Sequence, residues 1–508
     1  MRASWRVLVT TLLCFACLLA TAQEVHDHPA PERLGDVSFP VSCKPDVQTQ
    51  FNRAVALLHS FAYSAAEHEF QSVAGKDPGC AMAHWGIAMS QVHQLWEPQI
   101  QADGYAIGQQ QIAEAHKTGG GTDRERGFIN AAALLFAGPE IPYSTRAANF
   151  ERAMADLAAA NRNDVEVQVF YALALVGNAS PSDKAHARQK QAAEILEPLF
   201  RQNPRHPGIP HYLIHAYDNA ELATQGLAAA KAYAQIAPSA PHALHMPSHI
   251  FTRLGLWVDS IASNMAARKA AHDAGDIGEE LHAMDYLVYA YLQLGGNDDA
   301  AQVIADLRGM AIPKTGDFKV AYAATAMPIR YSAERGDWRA AAATEVPAMN
   351  APPHVVAIAI WARGIGLART NHPNEAMQSV KSLEKIQQQL AQAGNAYWST
   401  QVEILKREVE AWAAQAQGKT REAVLELRTA ADEEDSVEKL PVTPGPILPA
   451  REQLGDLLLL QGELKLAHHE FQLALANSPG RAGALRGMAA ASSSRSTKPN
   501  ANAPLPVR

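Results

Sequence analysis

Two His-x-x-x-His pairs, His211/His215 and His245/His249, stand 34 residues apart (245 − 211 = 34). Residues four apart share one face of a helix, so each pair aims two imidazoles in one direction. Imidazole is the commonest metal ligand and the side chain that titrates closest to neutrality. Packing a core does not call for such a set. More of the same chemistry surrounds it: His206, Asp218, His242, His282 and Asp285 fall in the same stretch.

Neighbouring packed helices lie about 8–10 Å apart, so imidazoles from two of them can converge on one ion at about 2.0–2.1 Å. His211, His215, His245 and His249 are therefore the candidate ligands of a divalent transition metal, with zinc, copper, iron and nickel all suited to imidazole. Asp218 can complete the shell or fix a histidine tautomer from outside it. His282 and Asp285 are the candidate bases if the site is catalytic. Two other readings stay open: histidines that only contact a ligand or water, and acid–base work without a metal. The sequence has no His-Glu-x-x-His motif, Gly-rich phosphate loop, Cys-x-x-Cys pair or Gly-x-Ser-x-Gly elbow.

The elements that must position these groups are helical. Over 508 residues the chain is 47% hydrophobic and 19% charged, with abundant alanine, which favours helix over strand. The formal charge of -8 comes without a Lys/Arg block, which gives nucleic-acid binding little electrostatic support. From about residue 47 the chain reads as helix pairs. The clearest copy carries Leu454, Gly455, Leu458, Gly462, Ala467, Phe471, Ala474 and Pro479. Weaker copies carry Ala66, Phe70 and Pro78; Ala192, Leu196, Leu199 and Pro204; Gly226, Tyr233 and Pro238; and Leu254, Gly255, Trp257, Ser260 and Ala267. Residues 100 to 165 read as helical but match poorly.

These positions and their period resemble the tetratricopeptide (TPR) repeat family, and the chain as a whole resembles exported bacterial TPR proteins of undefined activity. The resemblance implies an all-α fold, a right-handed superhelical solenoid of TPR-like helix hairpins with a concave groove. It also implies that positions 2, 5 and 9 of each repeat's first helix face the groove. With repeats starting at Pro207, Pro241 and Leu281, those positions carry His211 and His215, then His242, His245 and His249, then His282, Asp285 and Tyr289. Arg330 takes position 9 of the following repeat. Asp218, His242, Tyr289 and Arg330 are thus candidate ligand contacts, Arg330 toward a carboxylate. Packing is the alternative for Tyr212, Tyr217 and Tyr289, and an ion pair for Arg330. His59, His84, Trp85, His93 and Trp96 read as core or rim.

The expected organisation is a signal peptide over 1–22, a polar arm over 23–46 and N-terminal hairpins over 47–205. Central His-rich repeats over 206–345, C-terminal repeats over 346–490 and a disordered tail over 491–508 follow. The leader rests on Arg2 and Arg6, the apolar run Val7 to Ala20 and the small residues Ala20 and Ala22. It predicts a periplasmic or secreted protein with no stable membrane insertion after cleavage. There Cys43 and Cys80 can pair, or stay as buried thiols. Residues 436–449, with four prolines, read as a hinge or edge loop. The functional expectation is a binding protein whose groove holds a metal and a peptide, a protein or a small acidic ligand. A metal-dependent hydrolase or oxidase at the same cluster and a plain cell-envelope scaffold are the alternatives.

Overall fold

The computed structural model describes residues 32–93, 95, 100–119, 121–312, 318–347 and 351–493. The leader, His26, Asp27 and His28 of the arm, Trp96 and residues 494–508 of the tail lie outside the described residues. What is described is an all-α solenoid of TPR-like hairpins, with no strand among the described residues. No helix among them is long and apolar enough to cross a membrane.

The hairpins form for the reasons the repeat positions suggest. In the last full copy, helices Ala450–Leu460 and Leu464–Asn477 turn at Gly462, whose φ of 80° is open to glycine and strained for other residues. A Cβ at Gly455 would stand 2.6 Å from the Phe471 ring, so only glycine admits that ring between the helices. The poorly matched stretch is helical as expected, over Ala102–Thr118, Asp123–Leu135 and Tyr143–Ala160. The Thr122/Glu125 capping box starts the second of these helices, and Glu125 also accepts from the Ser42 amide at 2.6 Å.

The arm is not a free tail where it is described. Cys43 and Cys80 form a disulfide, with Cα atoms 4.8 Å apart. Asp36 donates its amide to the Arg205 carbonyl at 2.8 Å, and Phe39 packs among Phe51, Trp85, Phe128 and Phe170.

The proline-rich stretch differs from the expected hinge or edge loop. It runs as a strap across helices from several repeats. Glu438 donates its amide to the Pro181 carbonyl at 2.8 Å, and Leu440 donates to the Tyr397 hydroxyl at 3.2 Å. Tyr286 donates to the carbonyls of Pro441 and Thr443 at 3.2 and 3.3 Å, and Arg330 to those of Pro446 and Gly445 at 2.7 and 3.3 Å. Proline fixes φ and withholds an N–H, so a non-helical strap of turns and bends, with carbonyls free to accept, is what this composition prefers. The periodicity of the flanking helices carried no sign of where it would lie.

The last helices also fold back on the middle of the chain. Arg481, fully buried, donates to Glu334 and Glu452 at 2.6 Å each and to the Tyr289 hydroxyl at 2.9 Å. Removing one partner of a buried ion pair strands the other charges, at a cost of about 3–5 kcal/mol. Arg481→Ala is therefore expected to lower the urea midpoint of the full chain by that amount of stability, and a loss under about 1 kcal/mol would show the closure to be unimportant.

Candidate metal centre

Three segments bring the histidines together. Helix Gly208–Tyr217 presents His211 and His215. The next inner helix is broken, with Pro241–His245 followed by Pro247–Arg253, because Pro247 has no N–H to continue the ladder. Across that break His245 and His249 still face each other. Helix Ile277–Gln293 supplies His282.

The expected set of four regroups into two trios. His211, His215 and His242 place one ring nitrogen each within 4.8 Å of one another, and so do His245, His249 and His282. His242, expected as a ligand contact, joins the first trio, and His282, expected as a base, joins the second. All six are buried. In the first trio the His211 Nε2 lies 3.1 Å from that of His215 and 3.2 Å from that of His242. In the second the Nε2 atoms of His245 and His249 are 3.0 Å apart. Rings of the two trios approach to 5.9 Å between His215 and His249, centroid to centroid.

The outer nitrogens determine which tautomer each ring adopts. His211 Nδ1 lies 2.6 Å from the His59 carbonyl, which can only accept. His245 Nδ1 lies 2.6 Å from Asn264 Oδ1, and the amide is oriented because its nitrogen donates to the Ser260 carbonyl at 2.8 Å. His249 Nδ1 meets Asp218 at 2.9 Å and His242 Nδ1 meets Glu279 at 3.2 Å. Burial would raise both carboxyls, but Lys439, Arg253 and His249 hold Asp218 well below the usual range, as Lys319 and His242 do Glu279. Both therefore accept. The four Nδ1 atoms carry protons, and the Nε2 atoms of His211, His242, His245 and His249 turn lone pairs inward.

Two facing lone pairs 3.0–3.2 Å apart repel unless a cation or a proton sits between them. Burial, and then the neighbouring imidazoles, hold His211, His215 and His245 well below the usual histidine range. Burial and His245 do the same to His282, and burial brings His249 to about 4 against the pull of Asp218. A proton is disfavoured there. Two nitrogens bound tetrahedrally to one ion would lie about 3.3 Å apart, close to the spacing present. The residues therefore fit a metal, with Asp218, Glu279, Asn264 and the His59 carbonyl as the outer partners that orient ligating histidines.

A further cluster of the same residue types is built differently. Glu166 stands between His59 and His206, its oxygens 2.9 and 3.0 Å from their Nε2 atoms. His59 Nδ1 contacts the Tyr212 hydroxyl at 2.9 Å. The two histidines outweigh burial and draw Glu166 down to about 2. A Cβ at Gly208 would lie 2.6 Å from His59 Nδ1, so glycine there lets the rings close up. Its Glu166 and His59 are held by hydrogen bonds within the cluster, His206 Nδ1 has no partner among the described residues, and the His59 carbonyl supports His211. His84 contacts Gln111 at 2.7 Å, and His93 stacks on Tyr63 at 4.0 Å.

The candidate base Asp285 and the expected contacts Tyr289 and Arg330 meet one another away from the trios. Asp285 faces Arg330, 3.7 Å away, and burial lifts its carboxyl to about 6 against that guanidinium. Tyr289 lies under Arg330, 4.8 Å from ring centre to guanidinium, and accepts from Arg481. Arg330 is fully buried and donates to the strap, while Tyr289 also borders a cavity beneath it. Sequence reasoning missed Lys439, whose ammonium lies 2.8 Å from Asp218, as well as Glu279 and Asn264. Glu279 carried a signal, one turn before His282. A cavity of ≈ 240 Å³ reaches the first trio at His215 and is bounded by Asp218, Tyr397, Glu438, Lys439 and Pro441.

The fold and its inner face define a TPR-like helical repeat protein with two buried histidine trios. Comparison with protein families and with curated proteins gives no match. Among solved structures, a monomeric mutant of IFIT1 with Gppp-AAAA is 10% identical over 81% of this chain and 90% of that one, at a TM-score of 0.37. The human IFIT1 dimer with m7Gppp-AAAA is 10% identical over 81% and 89%, at 0.35. The P58(IPK) TPR domain is 11% identical over 88% and 97%, at 0.23. At such scores the likeness carries no argument about the site, which rests on its own geometry.

Proposed function

We propose that this protein is a metal-dependent enzyme whose centre holds two transition-metal ions, one per histidine trio. The observation that carries the reading is the set of inward lone pairs on His211, His242, His245 and His249, fixed by acceptors on the opposite ring nitrogens. Three imidazoles to an ion leave a fourth position open, as in catalytic rather than structural sites. The cavity at His215 supports access to it. A first shell of imidazole alone, with no thiolate or carboxylate, favours copper or zinc. Bound there, such ions would polarise a substrate oxygen and make a bound water more acidic.

The chain's own residues do the rest. Asp218 and Glu279 hold their histidines in the ligating tautomer, and Arg253, Lys439 and Lys319 keep those carboxylates ionised. The groove-binding alternative has less support, because Arg330, expected to face the groove, is already bonded to strap carbonyls. Export to an oxidising compartment is part of the proposal, supported by the Cys43–Cys80 bond.

The test is metal analysis of full-length protein purified without a His tag from cultures supplied with copper and zinc. About two ions per chain are expected. Protein that holds no metal, and whose thermal unfolding is the same with and without a chelator, would overturn the reading.

A further inference from the structure

A second cavity, of ≈ 150 Å³, lies under the strap and away from the trios' inner nitrogens. Its wall includes His354, stacked on Trp398 with ring centres 4.3 Å apart and planes 12° apart. The same cavity is lined by Tyr322, Tyr397, Glu408 and Glu434.

Charge around it is unevenly matched. Every basic side chain on the wall already has a carboxylate. Lys184 meets Glu438 at 2.8 Å, Arg253 and Lys439 each meet Asp218 at 2.8 Å, and Arg451 meets Glu470 at 2.9 Å and Asp432 at 2.8 Å. Among the described residues no ion pair reaches Glu408 or Glu434. Glu434 accepts the Ala450 amide at 2.9 Å. Glu408 is 1% exposed with one oxygen lacking any hydrogen bond, and His354 is 8% exposed with both ring nitrogens lacking one. A buried polar atom without a partner costs about 1–3 kcal/mol, and on this wall two acids stand without a paired cation, so the cavity favours a cationic occupant.

We propose that this cavity is a binding site for a small organic amine, its ammonium between Glu408 and Glu434 and its body against His354, Trp398 and Tyr322. Aromatic faces attract cations, which favours the same occupant. A bare metal ion fits less well, since His354, Glu408 and Glu434 do not form one of the tight clusters of ligand atoms found among the described residues. An acidic ligand would meet two unpaired acids. Burial, and then Glu434, push Glu408 well up, and burial lifts Glu434 to about 8 beside Asp435 against Arg481 and Arg451. An ammonium would let both ionise.

The test is calorimetric titration of the metal-stripped full chain with tyramine and with butylamine, using butyrate as the anionic control. Saturable binding of an amine, weakened at least tenfold in Glu408→Gln and in Glu434→Gln, is expected, with no binding of butyrate. Glutamine has the shape of the protonated acid and should leave the fold intact. His354→Phe, which keeps the stack on Trp398, should weaken binding several-fold and serves if a glutamine variant unfolds. Amines that give no saturable heat, variants that bind as the parent does, or butyrate that binds as well as the amines, would each overturn the proposal.

Discussion

His242→Ala is expected to remove one ion and leave the other. His242 contributes its Nε2 to the trio of His211 and His215, and its Nδ1 meets Glu279. Taking one imidazole from three leaves two nitrogens, and an outer-partner change alone already costs 10–100-fold in affinity. Loss of a ligand should exceed that, so metal content should fall from about two to about one per chain. His282→Ala should do the same to the other ion. The double variant should be empty. Two ions retained in either single variant, or both lost together, would contradict a pair of three-histidine sites, the latter in favour of one shared site.

The metal-free protein is expected to lose stability steeply between about pH 6.5 and pH 4.5. Seven buried histidines have values lowered chiefly by burial: His59, His211, His215, His245, His249, His282 and His354. The unfolded chain protonates its histidines near 6.5, whereas the fold resists until about 4 at His249 and His354. In that window the unfolded state binds more protons, so stability falls as pH falls. Asp285, Glu408 and Glu434, raised by burial, act the other way by holding protons in the fold. The balance of about four protons (7 − 3) gives roughly 5–6 kcal/mol per pH unit at most, at about 1.4 kcal/mol each. Further acid protonates Asp218, Glu279 and Glu166, held low in the fold, and removes more stability. Bound metal keeps imidazoles deprotonated and should shift the loss to lower pH. Urea midpoints from pH 7.5 to 4.5, with and without chelator, read this directly. A flat profile in chelator would mean that the histidines are not buried and neutral.

Much of this was legible in the sequence, and the limit has a physical cause. Helical period is local, so the hairpins, the Phe471 gap filler and the inward face of His211, His215, His245 and His249 could be read from spacing. Which imidazoles share a centre depends on how far adjacent helices slide and turn. The break at Met246 and the 40-residue step from His242 to His282 (282 − 242 = 40) regrouped four into two threes. Asp285 and Arg330 sit at the right repeat positions but find each other and the strap, since a buried carboxyl takes the nearest cation. Lys439 could not be placed from period at all, because the segment carrying it has none.

That segment also sets an order of events. Lys439 lies 221 residues beyond the Asp218 it contacts. At about 5–20 residues per second, roughly 10–45 s of synthesis separates the two. For most of that interval a nascent chain has the helices of both trios and not yet the strap that lies over Asp218. On the proposed reading, ions would meet an open cradle first, and the roof would arrive afterwards.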